Sequence, residues 1–334
     1  DDLAAGAKDS YWVHTEFPAE ELTGEEKQFI LDRFFDANQR MIDRFPRYAE
    51  LLAKRHEGDA LNTYTAEDFR DLQVLFNLAW TDPDWLAEEP LAGLVAKGSG
   101  FDEADKAVVL DEHLRLIEQT VPVHKALQDA GRIEITTTPY AHPILPLLVN
   151  TALAREALPD IELPGQEFVY GQDAVAQVEK GVALYEDHFG RPPAGMWPAE
   201  GSVAQEIVTM VGRSGIEWMA SDESVLAKSL GSDSFTRNSA ETVVDADALY
   251  RPYTVEGTRG GPVAMVFRDV VISDKVGFTY SGMPGEQAAE DFLARIHNIR
   301  DQLQESGAEG PHLVSVILDG ENAWEHYEND GKVF

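Results

Sequence analysis

Apolar runs and polar segments alternate along the chain and predict helices and strands in turn. A short run that is apolar throughout is typical of a buried parallel strand, whereas apolar residues three or four apart indicate an amphipathic helix. The runs predicted as strands are 74–79, 133–138, 194–197, 216–220, 262–267 and 313–318. Strands that alternate with helices favour an α/β fold with a parallel sheet or barrel.

The predicted helices lie between these runs. They cover residues 23–45, 144–157, 173–188, 203–213 and 286–306, together with a stretch that begins at Asp102 and breaks between Pro122 and Gly131. The first helix opens with a capping box at Thr23 and Glu26 and is interrupted by Pro46. The helices 173–188 and 286–306 stop at Gly190 and Gly307. Residues 1–22 and 231–247 are predicted as loops, and the second of these is long enough for a lid or an insertion.

Polar side chains follow the predicted strands. They are Asn77, Glu134, His142, Glu200, Asp222, Arg268, Asp269, Asp319 and Glu321. The carboxyl ends of the strands of a parallel barrel meet at one rim, where catalytic groups collect. We therefore expect most of these side chains to lie at one face of the sheet.

Glu200 and Asp319 are the carboxylates with the most informative surroundings. The apolar run 194–197 leads to Glu200, and Ser202 then stands three residues before Gln205, which is the spacing of a capping box. This pattern predicts that Glu200 lies where a strand stops and a helix begins. Asp319 directly follows the strand predicted at 313–318 and precedes Gly320.

Composition narrows the range of partners. The 27 Lys and Arg against 60 Asp and Glu give a formal charge of −33, so nucleic acid and anionic membranes would be repelled, whereas neutral ligands are not penalised. A surface this acidic also suits high salt, where screening weakens self-repulsion. The absence of cysteine excludes disulfides and thiolate metal sites. Residues 1–20 contain no signal-peptide pattern, no apolar run is long enough to span a membrane, and the compartment stays open between cytoplasm and secretion.

Two carboxylates that face each other across a groove are what glycosidic bond cleavage requires. Flat aromatic faces on which sugar rings could stack come from Trp197, Trp218, Trp324, Tyr140 and Tyr280. The alternatives are that Glu200 is a cap or surface charge and that His142 is a structural histidine. His142, Asp319 and Glu321 could also bind a metal, although no HExxH or comparable spacing supports it. No glycine-rich phosphate loop is present, so a nucleotide enzyme is not favoured, and we expect no cofactor.

Three stretches resemble motifs of the catalytic domain of glycoside hydrolase family 57, in particular of its amylopullulanase and α-amylase-like members. They are GRIEITTTPYAHPILP at 131–146, WPAEG at 197–201 and DGENAWE at 319–325, which resemble the second, third and fourth motifs of the family. The segments 77–80, 221–223, 267–269 and 273–274 are similar to these proteins as well. The resemblance covers about residues 60–330, with the motifs in the family's order.

The resemblance implies one catalytic domain over residues 1–334, folded as a distorted (β/α)7 barrel. It implies hydrolysis of an α-glucan polysaccharide or oligosaccharide with retention of configuration, with Glu200 as the nucleophile and Asp319 as the acid/base. The residues that it implies for substrate binding are Glu134, His142, Trp197, Glu321 and Trp324. We expect no metal at this site.

The sequence departs from the family's pattern at both ends. No stretch before residue 60 matches the first strand of the family with its His-Gln-Pro motif, and the chain stops at Phe334, where the family continues into a helical region. We therefore expect a piece of a longer protein. The alternatives are a 4-α-glucanotransferase or branching enzyme with the same two carboxylates, a non-catalytic glucan-binding module, and a metal-dependent polysaccharide enzyme. The preferred linkage, α-1,4 or α-1,6, and the oligomeric state are not encoded in these motifs.

Overall fold

A computed structural model gives the fold of the chain, and it describes residues 6–257, 261–319 and 324–334. The chain divides into two compact units. The first comprises Asp1–Thr120, Ser281–Glu286 and Glu321–Phe334, and the second comprises Val121–Tyr280 and Gln287–Gly320. Each unit has its own hydrophobic core. The single catalytic domain expected from the sequence stays a prediction.

Helices build the first unit. They are α1 (Ser10–Glu16), α2 (Gly24–Arg33), α3 (Gln39–Asp43), α4 (Pro46–His56), α5 (Ala60–Thr63), α6 (Ala66–Ala79), α7 (Pro83–Leu86), α8 (Leu91–Lys97) and the part of α9 (Glu103–Asp129) up to Thr120, with single turns at Trp324–His326 and Glu328–Gly331. Their apolar faces meet in one core, in which Phe34, Tyr48 and Phe69 are completely buried.

The segment 74–79, predicted as a strand, lies inside α6. Thr65 and Asp68 form a capping box at the start of this helix, and every residue from Asp71 to Ala79 is buried. A helix that is buried on all sides loses its apolar periodicity, so its sequence looks like that of a buried strand. The strand prediction is therefore wrong. Asn77 does not end a strand but donates from its side-chain amide to Thr15 Oγ1 at 3.0 Å.

Three other predictions for the first part of the chain need correction. Residues 1–22 are not all loop, because Asp9 caps α1. The capping box at Thr23 and Glu26 is confirmed, but the helix that it opens ends at Arg33, and the remainder of 23–45 contains the separate helix α3. Pro46 occupies the first turn of α4, where its missing N–H costs nothing. The long helix α9 runs through Pro122 without the predicted break.

A four-stranded sheet lies at the centre of the second unit. Its strands are β1 (Gly195–Met196), β2 (Trp218–Asp222), β3 (Tyr253–Val255) and β4 (Val263–Arg268), in the order β1-β2-β4-β3. The pairs β1–β2 and β2–β4 are parallel, and β3 is antiparallel to β4. The α/β class is therefore confirmed, as are the strands predicted at 194–197, 216–220 and 262–267 to within two residues. Closure into a (β/α)7 barrel stays a prediction.

Two extended segments join this sheet through single bridges. Thr137 pairs in parallel with Met196 of β1, and Ser315 pairs in parallel with Arg268 of β4. The segments 133–138 and 313–318 were predicted as strands, and in the structure each is an extended stretch with one bridge. Because all these pairings are parallel, the carboxyl ends of both segments and of β1, β2 and β4 lie at one edge of the sheet.

Helices cover the sheet. They are α10 (Leu145–Val149), α11 (Ala154–Ala157), α12 (Gly171–Phe189), α13 (Gln205–Arg213), α14 (Glu223–Ser229), α15 (Ala246–Leu249), α16 (Val270–Asp274) and α17 (Gly285–Glu305), with short turns at Thr151–Leu153, Ala199–Gly201, Lys275–Thr279 and Tyr280–Gly282. The helices predicted at 173–188 and 286–306 are confirmed as α12 and α17, whereas 144–157 is divided into three short pieces. Among the residues that the structure describes, no helix has the length and apolar composition needed to span a membrane.

Removal of the Thr65 side-chain cap tests whether residues 66–79 form a capped helix and not a strand. We expect Thr65→Ala to lower the free energy of unfolding by about 1 kcal/mol, because the amide of Asp68 loses its acceptor. Thr63→Ala is the matched control, since Thr63 is exposed and lies at the end of the short helix α5. Urea unfolding followed by far-ultraviolet circular dichroism measures both, and equal stabilities for the two variants would contradict the capped helix.

Candidate active site

The carboxyl edge of the parallel strands carries four of the polar side chains that the sequence predicted there. Glu200 follows β1, Asp222 ends β2, Arg268 ends β4, and Asp319 follows the segment that pairs with β4. In parallel α/β proteins this edge is where ligands bind.

Glu200 occupies a tight turn between β1 and α13. Its φ of 56° and ψ of 22° are left-handed, a conformation that costs a non-glycine residue about 1–2 kcal/mol. Its carboxylate side chain is 66% exposed. The predicted position between a strand and a helix is confirmed, but the capping box is not, because α13 begins after Ala204 without a side-chain cap.

His142 faces Glu200 from the loop that follows Thr137. Its Nε2 lies 3.5 Å from Oε1 of Glu200, and its Nδ1 lies 3.2 Å from Oγ1 of Thr138. The φ of His142 is 54°, so both members of the pair have a left-handed backbone. When the Thr138 hydroxyl donates to Nδ1, the ring proton of the neutral imidazole is on Nε2, the nitrogen that faces the carboxylate.

Hydrogen bonds on both sides of β1 hold this pair in place. The N–H of Thr137 donates to the carbonyl of Gly195 at 3.0 Å, and the N–H of Trp197 donates to the carbonyl of Thr137 at 2.9 Å. The buried hydroxyl of Ser221 donates to the carbonyl of Gly201 at 2.6 Å and so fixes the turn that contains Glu200. Backbone strain that is fixed by its surroundings is typical of functional sites.

Trp197 lies against the same turn. A Cβ added to Gly201 would lie 3.1 Å from the Trp197 ring, and Gly201 has a φ of +63°. The ring is half-buried. Glycine at 201 therefore permits both the left-handed backbone and the close approach of the indole.

An ion pair joins the ends of β2 and β4. Arg268 donates from Nε to Oδ2 of Asp222 at 2.9 Å, and its other nitrogens reach Asp274 Oδ1 at 3.3 Å and the carbonyl of Ile317 at 3.5 Å. Burial opposes the ionised form of Asp222, but hydrogen bonds from Arg268 and Ser224 outweigh burial and hold the pKa of this carboxyl below its usual range. Asp222 is therefore ionised at neutral pH and is not available as a proton donor.

Asp319 is exposed at the end of the segment that pairs with β4. This segment is attached by the N–H of Ile317, which donates to Ser273 Oγ at 3.2 Å. The order of the sheet places β2 and β4 between β1 and this segment, so three strand spacings of about 4.8 Å separate the segment from β1, or about 14 Å along a flat sheet. A separation of about 5–5.5 Å between the two carboxyl groups, as retention requires, therefore needs a sheet that curves as in a barrel.

Glu134 lies at the opposite edge. Its Oε1 accepts from the indole Nε1 of Trp218 at 2.7 Å, and Trp218 is the first residue of β2. This indole crosses Gly195, where an added Cβ would lie 2.3 Å from the ring. The structure therefore does not bring Glu134 together with Glu200.

The remaining aromatic residues that the sequence suggested for sugar stacking differ in exposure and in location. Tyr140 is 55% exposed in the loop that carries His142, which suits stacking against a ligand. Tyr280 is completely buried and its hydroxyl donates to Asp291 at 2.6 Å, so the prediction that it offers a face to sugars is wrong. Trp324 belongs to the first unit and contacts the ring of Tyr327 at 5.0 Å. Glu321 lies outside the described residues.

A cluster of buried polar side chains surrounds Asp269, the residue that follows β4. Asp269 is 1% exposed, accepts from the hydroxyl of Tyr250 at 2.5 Å, and pairs with Arg237 at 3.2 Å. Arg237 also pairs with Glu223 at 2.5 Å. Asp269 thus has a structural role, and Arg237 anchors the long loop 231–247 to it. The polar composition of that loop gave no signal for this anchor.

The described charged residues were compared with the ligand sets that metal ions need. Within the ranges 6–257, 261–319 and 324–334, the structure contains no group of three or more His, Asp or Glu that could hold a metal ion.

Comparison with known proteins identifies a family. The family model for "Glycosyl hydrolase family 57" matches residues 9–334. A search of curated proteins found no match.

Solved structures that resemble the chain include three thermophilic enzymes. An α-amylase from Thermotoga maritima is 17% identical, with a TM-score of 0.47 over 92% of this chain and 65% of its own. A GH57 branching enzyme from Thermococcus kodakaraensis is 16% identical, with a TM-score of 0.49 over 92% of this chain and 62% of its own. A 4-α-glucanotransferase from Thermococcus litoralis is 16% identical, with a TM-score of 0.36 over 56% of this chain and 23% of its own. The chain thus spans less than two thirds of the length of each.

The left-handed backbone at Glu200 predicts a reversal of the usual preference for alanine over glycine. We expect Glu200→Gly to be more stable than Glu200→Ala by about 1 kcal/mol, because only glycine adopts this φ without strain. Both variants lack the carboxylate, so their difference isolates the backbone.

Glu167 is the matched control for this comparison. It is exposed, and its φ is not positive. At this position we expect the alanine variant to be more stable than the glycine variant by about 0.4–1 kcal/mol. Thermal unfolding measures both pairs, and the same order at both positions would contradict the strained turn.

Proposed function

Since the chain belongs to glycosyl hydrolase family 57, we propose that it carries the catalytic site of a retaining enzyme that hydrolyses α-glucans such as starch or glycogen. The family match over residues 9–334 supports the enzyme class. The observation that carries the assignment of the nucleophile is the strained, exposed Glu200, whose carboxylate lies 3.5 Å from Nε2 of His142. The acidic chain is compatible with this substrate because a glucan is neutral.

In the first step Glu200 attacks the anomeric carbon. Asp319 protonates the glycosidic oxygen as the bond to the leaving group breaks, and a covalent glucosyl-enzyme forms. The Glu200 carboxylate on the left-handed turn is 66% exposed, so a sugar can approach it from solvent. His142 orients this carboxylate through its Nε2.

In the second step water releases the sugar. Asp319, now a carboxylate, removes a proton from water, and the resulting oxygen attacks the anomeric carbon from the face that the leaving group vacated. Glu200 departs as a carboxylate, so two inversions give net retention. Asp222 takes no part as an acid, because Arg268 holds it in its ionised form.

The substrate-binding assignments differ in their support. His142 faces Glu200, the Trp197 ring packs against the neighbouring Gly201, and Tyr140 offers an exposed ring in the loop that carries His142. The roles of Glu321 and Trp324 rest on the resemblance of 319–325 to the family's fourth motif. Glu134, held by Trp218, is better suited to fixing the amino edge of the sheet than to contacting the attacked sugar. We further propose that the sheet closes as a (β/α)7 barrel, since retention requires its curvature.

Replacement of Glu200 tests the nucleophile. We expect Glu200→Gln to reduce turnover of maltooligosaccharides by at least about a thousandfold, because the amide cannot form the glycosyl-enzyme, while affinity for the glucan changes little. Glu167→Gln, at an exposed loop position, is the control and should retain full activity. Release of reducing sugar measures the effect, and an active Glu200→Gln variant would refute the assignment.

Azide rescue separates the roles of the two carboxylates. With an α-maltosyl fluoride, Glu200→Ala should yield a β-maltosyl azide, because azide attacks the face left open by the missing carboxylate and fluoride leaves from the opposite face. Asp319→Ala should yield the α-azide, because azide displaces Glu200 from the glycosyl-enzyme. Nuclear magnetic resonance of the products distinguishes the anomers, and the same anomer from both variants would contradict the two roles.

Hydrolysis and transfer differ only in the acceptor of the second step. For hydrolysis we expect maltoheptaose to yield only shorter chains, because water takes the glycosyl group. Chromatography of the products measures chain length. Chains longer than seven units would instead assign the same carboxylates to a 4-α-glucanotransferase or branching enzyme.

A further inference from the structure

The first unit contains an aromatic pocket of about 640 Å³ that the proposed mechanism does not use. Side chains from α1, α2, α6 and α9 line it, among them Tyr11, Trp12, Arg33, Phe76 and Trp80. Its volume lies within the range of about 300–1,000 Å³ that is usual for small-ligand sites. Of the aromatic residues that the sequence suggested for sugar stacking, none lines this pocket.

Both tryptophans in the pocket are anchored by their indole N–H. Trp80 donates from Nε1 to the carbonyl of Asp36 at 3.1 Å, and Trp12 donates from Nε1 to Oε1 of Glu16 at 3.1 Å. Trp80 is nevertheless 49% exposed, which is unusual for so large an apolar side chain. A ring that is fixed at one edge presents its face to a ligand with little further loss of conformational entropy.

Polar groups surround these faces in a connected network. The hydroxyl of Tyr11 donates to Oδ2 of Asp36 at 2.8 Å and accepts from Nη2 of Arg33 at 2.7 Å. Arg33 lies 2.9 Å from the same carboxylate oxygen, so these two charges balance each other. The ring of Tyr11 is stacked on that of Phe76, with centroids 5.3 Å apart.

His113 supplies another polar group to the pocket wall. Its Nε2 lies 2.9 Å from Oγ1 of Thr81. Burial lowers the pKa of His113, so the ring is neutral at pH 7. The pocket thus combines fixed aromatic faces with neutral or paired hydrogen-bonding groups.

We propose that the aromatic pocket binds glucose units of an α-glucan chain. A pyranose ring has an apolar face of C–H groups that fits an indole, and a rim of hydroxyls that can donate to Asp36 and accept from Arg33. An anionic ligand would be disfavoured by the chain's charge of −33. This inference rests on the proposed function for its choice of neutral sugar.

We expect the pocket to strengthen the binding of long glucans and to have no effect on the cleavage of short substrates. A long glucan presents many glucose units that the pocket can bind, whereas an aryl maltoside can occupy only the subsites at which its bond is cleaved. We expect loss of one stacking face to weaken glycogen binding roughly tenfold, which corresponds to about 1.4 kcal/mol.

Trp80→Ala tests the pocket in the full chain. We expect native electrophoresis through glycogen-containing gels to show a retardation constant about tenfold weaker for this variant, with turnover of 4-nitrophenyl α-maltoside unchanged. Trp80→Phe keeps an aromatic face and should restore most of the retardation. Trp85→Ala is the matched control, because Trp85 is 37% exposed on α7 of the same unit and does not line the pocket.

The outcomes distinguish this proposal from the proposed function. The pocket proposal would be overturned if glycogen retarded Trp80→Ala as strongly as the unsubstituted chain. It would also be overturned if Trp80→Ala and Trp85→Ala lost the same amount of retardation. Selective loss in Trp80→Ala supports the pocket even if no variant cleaves the maltoside, in which case only the proposed hydrolase fails. Cleavage of the maltoside without any glycogen retardation overturns the pocket and leaves the hydrolase standing.

Discussion

The parallel pairing on both sides of β1 is the constraint on which the candidate site depends. This strand has only two residues, Gly195 and Met196, yet it is bonded to Thr137 on one side and to β2 on the other. The segment with Thr137 and β1 itself both continue past the edge of the sheet, so the loop with His142 and the turn with Glu200 meet there. The left-handed turn at Glu200 is fixed by the Ser221 hydroxyl, which donates to the carbonyl of Gly201, and the N–H of His142 donates to the carbonyl of Pro139. Loss of this pairing would release the strain and separate the imidazole from the carboxylate.

The guanidinium of Arg268 pairs with two carboxylates near the carboxyl edge of the sheet. Arg268 pairs with Asp222 and Asp274 and reaches the carbonyl of Ile317 in the segment that leads to Asp319. In a chain of −33 this arrangement sets one positive charge against two carboxylates that neighbour the site, whereas Glu200 lies beside an imidazole. The carboxylates at this edge therefore have different environments, which is the usual way in which similar groups acquire different chemical roles.

The sequence predicted those parts of the fold whose signals are local. The runs at β2 and β4 and the helices α12 and α17 have clear apolar patterns and glycine stops, and they are confirmed. The buried helix α6 was mistaken for a strand because burial on every side removes periodicity. The position of Glu200 after β1 was predictable, but its left-handed backbone was not, since it arises from Ser221 and Thr137, which are distant in sequence. Trp12 and Trp80 were missed for the same reason: only the fold brings them to one pocket.

Covalent trapping tests the central assignment most directly. A 5-fluoro-α-glucosyl fluoride should form a glycosyl-enzyme rapidly and release it slowly, because fluorine destabilises the positively charged transition states and fluoride leaves without protonation. Proteolysis and mass spectrometry then identify the labelled residue. We expect a single ester on Glu200, absent from Glu200→Gln. An ester on another carboxylate, or no ester while the unmodified substrate is hydrolysed, would contradict it.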